Sequence, residues 1–298
     1  MGIFDFFKKK DKNINAEKNE NLQVSSQTNE ARIQASLGEI SVEVVSDNKG
    51  SHGDNFGGLL GFSYLNSDKG NRFINEMIAL ASIEDPILKN PVVKIHEAGF
   101  DNSDSVRIRT IAKNGNISNG AILSAYPYIK TNYILPFETK RIIEWSHIGN
   151  MEAEIQGGGR NTFGLSFFAT DYAINKSKYK AEKNLNIRIS AIGLVLDKND
   201  LTEINGTAVS PEFSTYMPSK DISRPTYFDF IGVLNNYTEC KINDENYGYM
   251  INVKLINQED DPDFFTVDMF VNKENMRFDN LKQGMKVAGL FWLQGEIA

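Results

Sequence analysis

Ile187-Arg188-Ile189-Ser190-Ala191-Ile192 alternates apolar and polar side chains, which is typical of a strand with one buried and one exposed face. The same period of two recurs at residues 40–44 and 106–111. No regular alternation of strands and helices supports a parallel nucleotide-binding sheet. The pattern therefore predicts a mainly β protein, a β-rich α+β fold whose central domain is an antiparallel sheet with one helix.

A run of glycines separates two further apolar stretches. Residues 151–156 lead into Gly157-Gly158-Gly159-Arg160-Asn161, and a second apolar stretch follows at 165–169. We expect a β-hairpin whose turn is the glycine run. A phosphate-binding loop would need a helix after the glycines, and a strand is expected there instead.

One segment has helical periodicity. Apolar residues recur every three or four positions between 68 and 82, which places them on one helix face. Ser67 or Asp68 could cap the start, and Asp85-Pro86 marks a stop beyond the end. A second, shorter helix is predicted within 175–183.

Composition divides the chain into four parts. We predict a disordered tail at 1–32, a β-rich central domain at 33–200, a linker at 201–225 and a small acidic β-barrel-like domain at 226–298. The linker carries three of the eight prolines. The last part contains four or five expected antiparallel strands, of which residues 250–255 and 265–269 alternate well, and these suggest a small OB-like barrel or a meander.

The 298 residues include 32 Lys and Arg and 39 Asp and Glu, a net charge of -7. Residues 221–298 hold 7 basic against 13 acidic residues, so most of this charge lies there. That argues against nucleic acid, which needs clustered positive charge. One Cys and three His predict no disulfide framework, no metal site and no cofactor. Without an apolar run of ~20 residues or a secretory leader, a cytoplasmic location is expected.

The loop Ser51-His52-Gly53-Asp54 is the most site-like stretch for catalysis, because it is polar and precedes Gly57-Gly58. The alternatives are a hydrolase or transferase site near 51–61 and a solvent-exposed turn. Three glutamates, Glu43, Glu152 and Glu154, alternate with apolar residues, and we expect their carboxylates to face solvent.

The tail offers another alternative. Ile3, Phe4, Phe6 and Phe7 precede three lysines, a pattern that could contact a membrane surface. Phe6 stands where a myristoylation pattern needs Ser or Thr, so lipid modification is not supported.

Two segments resemble recurring segments of uncharacterised bacterial β-rich proteins. They are Phe167-Phe168-Ala169-Thr170-Asp171-Tyr172 and Gly289-Leu290-Phe291-Trp292-Leu293-Gln294-Gly295. The resemblance implies a β-rich, two-part cytoplasmic protein, and it brings no activity with it.

Because no catalytic motif is assembled, the leading hypothesis is a non-catalytic interaction protein that engages a protein partner. Its candidate binding residues lie in the two segments above and in the polar loop: Asp171, Tyr172, Trp292, Gln294, His52 and Asp54. No residue is assigned a catalytic role.

Overall fold

In a computed structural model the chain is described over residues 39–46, 51–100, 103–114, 122–160, 162–200, 202–204, 207–258, 260–261 and 263–298. The predicted tail at 1–32, with Ile3, Phe4, Phe6 and Phe7, lies outside the described residues.

Strands dominate the described chain, so the prediction of a mainly β, β-rich α+β fold is confirmed. The strands are β1 (Ser41–Val45), β2 (Leu88–Lys89), β3 (Val93–Phe100), β4 (Ser103–Lys113), β5 (Ile122–Ile129), β6 (Ile134–Trp145), β7 (Ala153–Gly159), β8 (Phe163–Ala169), β9 (Asn184–Lys198), β10 (Glu203–Ile204), β11 (Thr207–Ala208), β12 (Thr215–Pro218), β13 (Tyr227–Lys241), β14 (Tyr247–Ile256), β15 (Phe265–Asn272) and β16 (Lys286–Ile297). The helices are α1 (Phe56–Leu60), α2 (Phe62–Leu65), α3 (Asp68–Ile83) and α4 (Tyr172–Ala181).

The strands form two main sheets. A large mixed sheet has the order β1-β6-β7-β8-β16-β9-β15-β14-β13-β12, and an antiparallel sheet has the order β2-β3-β4-β5. Three pairs in the large sheet are parallel: β1 with β6, β15 with β9, and β16 with β8. Parallel neighbours need long connections, and each of these pairs is separated by many residues of chain.

Five strands of the large sheet close into a ring. β9 pairs with β16, β16 with β13, β13 with β14, β14 with β15, and β15 again with β9. The predicted module at 226–298 supplies four of these strands, and β9 from the predicted central domain supplies the fifth. Strands on the two sides of the predicted linker therefore share one sheet.

Residues 187–192 lie on β9, and both faces of this strand carry buried side chains. Ile187, Ile189 and Ala191 pack into a core shared by β6–β9 and β13–β16. Ile192 packs into a second core, formed between the large sheet, α1, α3 and the four-stranded sheet. The alternation predicts the strand, and burial of both faces follows from its position between two cores.

The main helix agrees with its prediction. α3 covers Asp68–Ile83, and the Ser67 side chain caps it by accepting a hydrogen bond from the Gly70 amide at 3.0 Å. The shorter predicted helix is α4, which begins at Tyr172, three residues before the predicted start. No helix in the described ranges is both long enough and apolar enough to cross a membrane.

The predicted hairpin is present, but its turn is not the glycine run. Gly157, Gly158 and Gly159 belong to β7, which ends at Gly159, and β8 begins at Phe163. A Cβ on Gly157 would lie 2.0 Å from the carbonyl oxygen of Glu138. Glycine is needed there because the backbone of β6 passes that close.

Candidate functional site

The polar loop at 51–54 is anchored on a buried carboxylate. Glu152 is fully buried just before β7. Its Oε1 accepts hydrogen bonds from the hydroxyls of Ser51 (2.6 Å) and Ser124, and its Oε2 accepts one from the backbone amide of His52 (2.7 Å). Three donors to one buried carboxylate satisfy its charge within the protein.

The surroundings of His52 also hold the loop in place. The imidazole stacks on Trp145 with ring centroids 3.8 Å apart, and Arg224 donates to the His52 carbonyl at 2.9 Å. A Cβ on Gly53 would lie 2.8 Å from the Cβ of Tyr126. The exposed-turn interpretation is therefore wrong for His52 and Gly53, which are buried, whereas Asp54 is exposed.

The hydrogen bonds of the Ser51 hydroxyl hold the loop in place. The Ser51 hydroxyl donates to Glu152, as does that of Ser124, and the two hydroxyl oxygens lie 2.8 Å apart. Both hydroxyls are thus committed to one buried carboxylate, which ties the loop to β5 and to the start of β7.

A second buried carboxylate lies two residues further along. Glu154 is 2% exposed, and its Oε1 accepts a hydrogen bond from the Thr226 hydroxyl at 2.9 Å. Burial raises the pKa of Glu154 to about 7, opposed by the Thr226 hydrogen bond and by Arg224 and His52. The expectation of solvent-facing carboxylates is thus wrong for Glu152 and Glu154. It holds for Glu43, which pairs with Arg141 at the surface.

His96 has different neighbours from His52. His96 is buried in β3, and its Nδ1 is 2.7 Å from the carbonyl oxygen of Glu84. Within the described ranges, no group of three or more His, Cys, Asp and Glu side chains could hold a metal ion. Cys240 is a buried free thiol.

Asp171 and Tyr172 are inside the protein. Asp171 is 1% exposed and accepts hydrogen bonds from Tyr179, Asn175 and the amide of Ile297. Burial raises its pKa, and these hydrogen bonds oppose the rise. The hydroxyl of Tyr172 donates to Glu144 at 2.6 Å. Both side chains are bonded within the fold.

Trp292 and Gln294 are fully buried on β16. The Trp292 ring packs against Phe168 with centroids 5.3 Å apart. The amide of Gln294 donates to the Pro127 carbonyl at 2.6 Å, and its oxygen accepts from the Ile129 amide at 3.1 Å. Gln294 therefore joins β16 to β5 of the other sheet, whereas Trp292 packs in the core between the two sheets.

A groove elsewhere on the large sheet offers a surface that a partner can reach. Its volume is about 780 Å³, and it lies between β8 and β12. Aromatic rings form much of its wall: Phe163 and Tyr216 are 6.4 Å apart edge to face, and Tyr216 and Phe228 are 5.5 Å apart. The full lining is Lys140, Arg141, Gln156, Gly157, Phe163, Gly164, Leu165, Ser166, Ser214, Thr215, Tyr216, Met217, Pro218, Phe228 and Ile256.

The two strands that border the groove each have an edge that faces it. β8 pairs along its length with β7 on one side, and on the other it meets β16 only at Phe168 and Ala169. β12 pairs with β13 alone among the described strands. Backbone donors and acceptors on such edges are suited to pairing with an added strand.

The groove has open space beside β8. The groove lining holds two basic residues, Lys140 and Arg141, and no acidic residue. Gly164 is exposed, and a Cβ built on it would meet no atom within 4 Å. A hydrogen bond spans the groove, from the Tyr216 hydroxyl to the Gly164 carbonyl at 2.8 Å, and a strand that pairs with β8 has to replace it.

The sequence does not predict this groove. Tyr216 falls in the segment interpreted as a linker, and Phe163 falls beside the glycine run interpreted as a turn. Thr215-Tyr216-Met217-Pro218 has the strand formers and the terminal proline of an edge strand, which is the only local signal.

Comparison of the chain with protein-family models, with curated protein sequences and with solved structures found no match in any of the three.

Proposed function

We propose that this chain is a non-catalytic interaction protein that binds an extended segment of a partner protein in the groove between β8 and β12. The observation that carries the proposal is the pair of strand edges, Phe163–Phe167 in β8 and Thr215–Pro218 in β12, that face each other across aromatic side chains. An added strand can pair with such an edge through its backbone, while alternate side chains fill the apolar wall.

The site selects for a particular kind of segment. Phe163, Tyr216 and Phe228 provide ring faces and edges for aromatic or large aliphatic side chains. Lys140 and Arg141 lie at one side of the groove, but each has a carboxylate partner on β6 or β1, Glu138 for Lys140 and Glu43 for Arg141, so the apolar wall provides the selectivity. The resemblance to uncharacterised bacterial β-rich proteins is compatible with this role and adds nothing to it.

The closed ring of five strands, β9 with β13–β16, supports an OB-like barrel. A barrel that binds nucleic acid has a positively charged groove. The groove between β8 and β12 has only two basic residues in its lining, so it differs from such a barrel. A cytoplasmic location, expected from the sequence, is part of the same proposal.

The test is selection from a phage-displayed library of random peptides on the full chain. We expect enriched peptides to carry aromatic residues at alternating positions, and a synthetic peptide of that sequence should slow amide exchange in β8 and β12. Gly164→Trp places a large side chain in the open space of the groove and should abolish binding. Gly164→Ala is the matched control and should bind as wild type does.

Enriched peptides that bind Gly164→Trp as well as wild type would exclude the groove as the site. Failure to enrich any sequence above a blank surface would count against the proposed function.

A further inference from the structure

We infer that a second groove, between α3 and β3, binds an extended segment of a partner protein in which two apolar residues and a basic residue alternate with others. The volume of this groove is about 510 Å³. Side chains of α3 line one side, residues 97–100 of β3 line another, and residues 241–244 close one end. The groove is separate from the one between β8 and β12, so the inference does not rest on the proposed function.

The second half of β3 has a backbone edge that no described strand covers. The pairing of β2 with β3 extends no further than Ile95, whose carbonyl accepts a hydrogen bond from the Ile87 amide at 2.9 Å. Because backbone groups alternate in direction along a strand, those of Glu97 and Gly99 point to the same side as those of Ile95. Both residues line the groove, and Gly99 is exposed. An added strand has backbone donors and acceptors to pair with there.

Helix α3 runs antiparallel to β3 along this edge. At one end the rings of Phe73 and Phe100 stack with centroids 6.2 Å apart. At the other end Nδ1 of His96 lies 2.7 Å from the carbonyl oxygen of Glu84. The helix covers about 16 Å between Phe73 and Glu84, and the strand covers about 13 Å between His96 and Phe100. The groove is therefore long enough for about five residues of extended chain.

The helix offers an apolar wall to one face of such a segment. Phe73, Met77 and Leu80 line the groove at spacings of three and four residues, which places them on one side of α3. Leu80 is 48% exposed, so a docked apolar side chain removes further apolar surface from water. Alternate side chains of an extended segment lie on one face. Two apolar residues separated by one position therefore both face this wall.

One lining carboxylate remains for a basic residue of the partner. Arg107 lies 3.8 Å from Glu97. Lys241 lies 2.8 Å from Asp244. Glu84 is exposed just beyond the end of α3 and has no ion pair with any residue that the structure describes. The last turn of α3 contains no basic residue, so the carbonyl end of the helix also favours a cation there. In a segment antiparallel to β3, the basic residue therefore follows the two apolar ones.

Selection from a phage-displayed library of random peptides tests the inference on the full chain carrying Gly164→Trp, in which the groove between β8 and β12 is filled. We expect enriched peptides with two apolar residues and then a basic residue at alternating positions. A synthetic peptide of the enriched sequence should slow amide exchange at Glu97 and Gly99 at least tenfold. It should leave amide exchange in Phe163–Phe167 of β8 unchanged.

Two matched pairs of variants, each added to this chain, locate the contacts. Gly99→Pro removes an amide donor from the free edge, where a strand tolerates proline, and should weaken peptide binding at least tenfold. Gly99→Ala keeps the donor, and its Cβ meets only the flexible end of Arg107, so it should bind as the parent does. Glu84→Gln should weaken binding at least fivefold, whereas Asp85→Asn, at the next exposed residue outside the lining, should not.

Several outcomes would overturn the inference. They are failure to enrich any peptide above a blank surface, and enriched peptides that bind Gly99→Pro as tightly as Gly99→Ala. Equal binding to Glu84→Gln and Asp85→Asn would refute the basic residue. Concentration-dependent dimerisation that Gly99→Pro abolishes would assign the edge to a second copy of the chain and contradict a peptide occupant. Since Gly164→Trp fills the other groove throughout, failure of the proposed function leaves all of these results unchanged.

Discussion

At the scale of single residues, burial reverses what local alternation indicates. Glu152 and Glu154 alternate with apolar residues, as solvent-facing carboxylates of a strand do, yet both are buried. Glu152 accepts three hydrogen bonds, whereas Glu154 accepts one from the Thr226 hydroxyl. Glu154 therefore has fewer hydrogen-bond donors around its carboxylate than Glu152 has.

The pKa of Glu154 predicts a pH-dependent stability. Because burial raises this pKa from 4.5 to about 7, the folded protein holds the proton more tightly than the unfolded chain. Stability should therefore fall as the pH rises from about 4.5 to about 7 and stay level above that. Relative to Glu154→Gln, wild type should lose about 3 kcal/mol over this interval.

Urea unfolding at a series of pH values measures this difference, because the glutamine keeps an acceptor for Thr226 and cannot ionise. Glu203→Gln, at an exposed position, is the control for the exchange of residue type. A difference between wild type and Glu154→Gln that does not change with pH would contradict the prediction.

At the scale of the elements, strand contacts decide where glycine is required. The hairpin of β7 and β8 is correctly predicted from two apolar stretches around glycines. Its glycines are needed within the strand, because Phe137 and Glu138 of β6 pass close to Gly157. Gly164, on the opposite strand of the same hairpin, has open space beside it.

Two substitutions in this hairpin should therefore differ sharply. Gly157→Ala places a Cβ against the backbone carbonyl of Glu138, which cannot move as a side chain can. We expect a loss of about 3 kcal/mol in the free energy of unfolding. Gly164→Ala should change that free energy by less than about 0.5 kcal/mol.

Chemical denaturation of both variants at one pH compares them directly. Equal unfolding free energies would show that β6 does not restrict β7 at residue 157.

At the scale of the whole molecule, contacts across the predicted linker join the chain into one sheet. β9 closes the ring formed by β13–β16, and Thr226, just beyond the linker, bonds Glu154 of β7. Buried Arg109 of β4 bonds Glu296 of β16 at 2.7 Å and Glu97 at 2.5 Å, which ties the four-stranded sheet to the large one. The C-terminal part, which carries most of the negative charge, thus shares a hydrophobic core with the rest of the chain.

Cutting the linker should not release a domain. With a site-specific protease sequence inserted after Ser210, we expect fragments 1–210 and 211–298 to stay together after cleavage. The reason is that separation would expose the apolar surface of β9 and β16 and break their ladder. Gel filtration in native buffer and calorimetry check this, with co-elution and one unfolding transition as the expected result.

Elution of a folded 211–298 fragment by itself would instead support the independent small domain that the sequence suggests.

The sequence by itself determined several elements of the secondary structure. Period-two alternation predicts β9, β4 and the strands of the C-terminal part, and a period of 3.6 with a Ser67 cap predicts α3, because both signals are local in the chain. Only the tertiary structure decided that Asp171, Tyr172, Trp292 and Gln294 are internal, that Glu152 anchors the loop at 51–54, and that the edges of β8 and β12 form a groove. These outcomes depend on residues far apart in sequence that meet across the sheet, and no local pattern records which strands become neighbours.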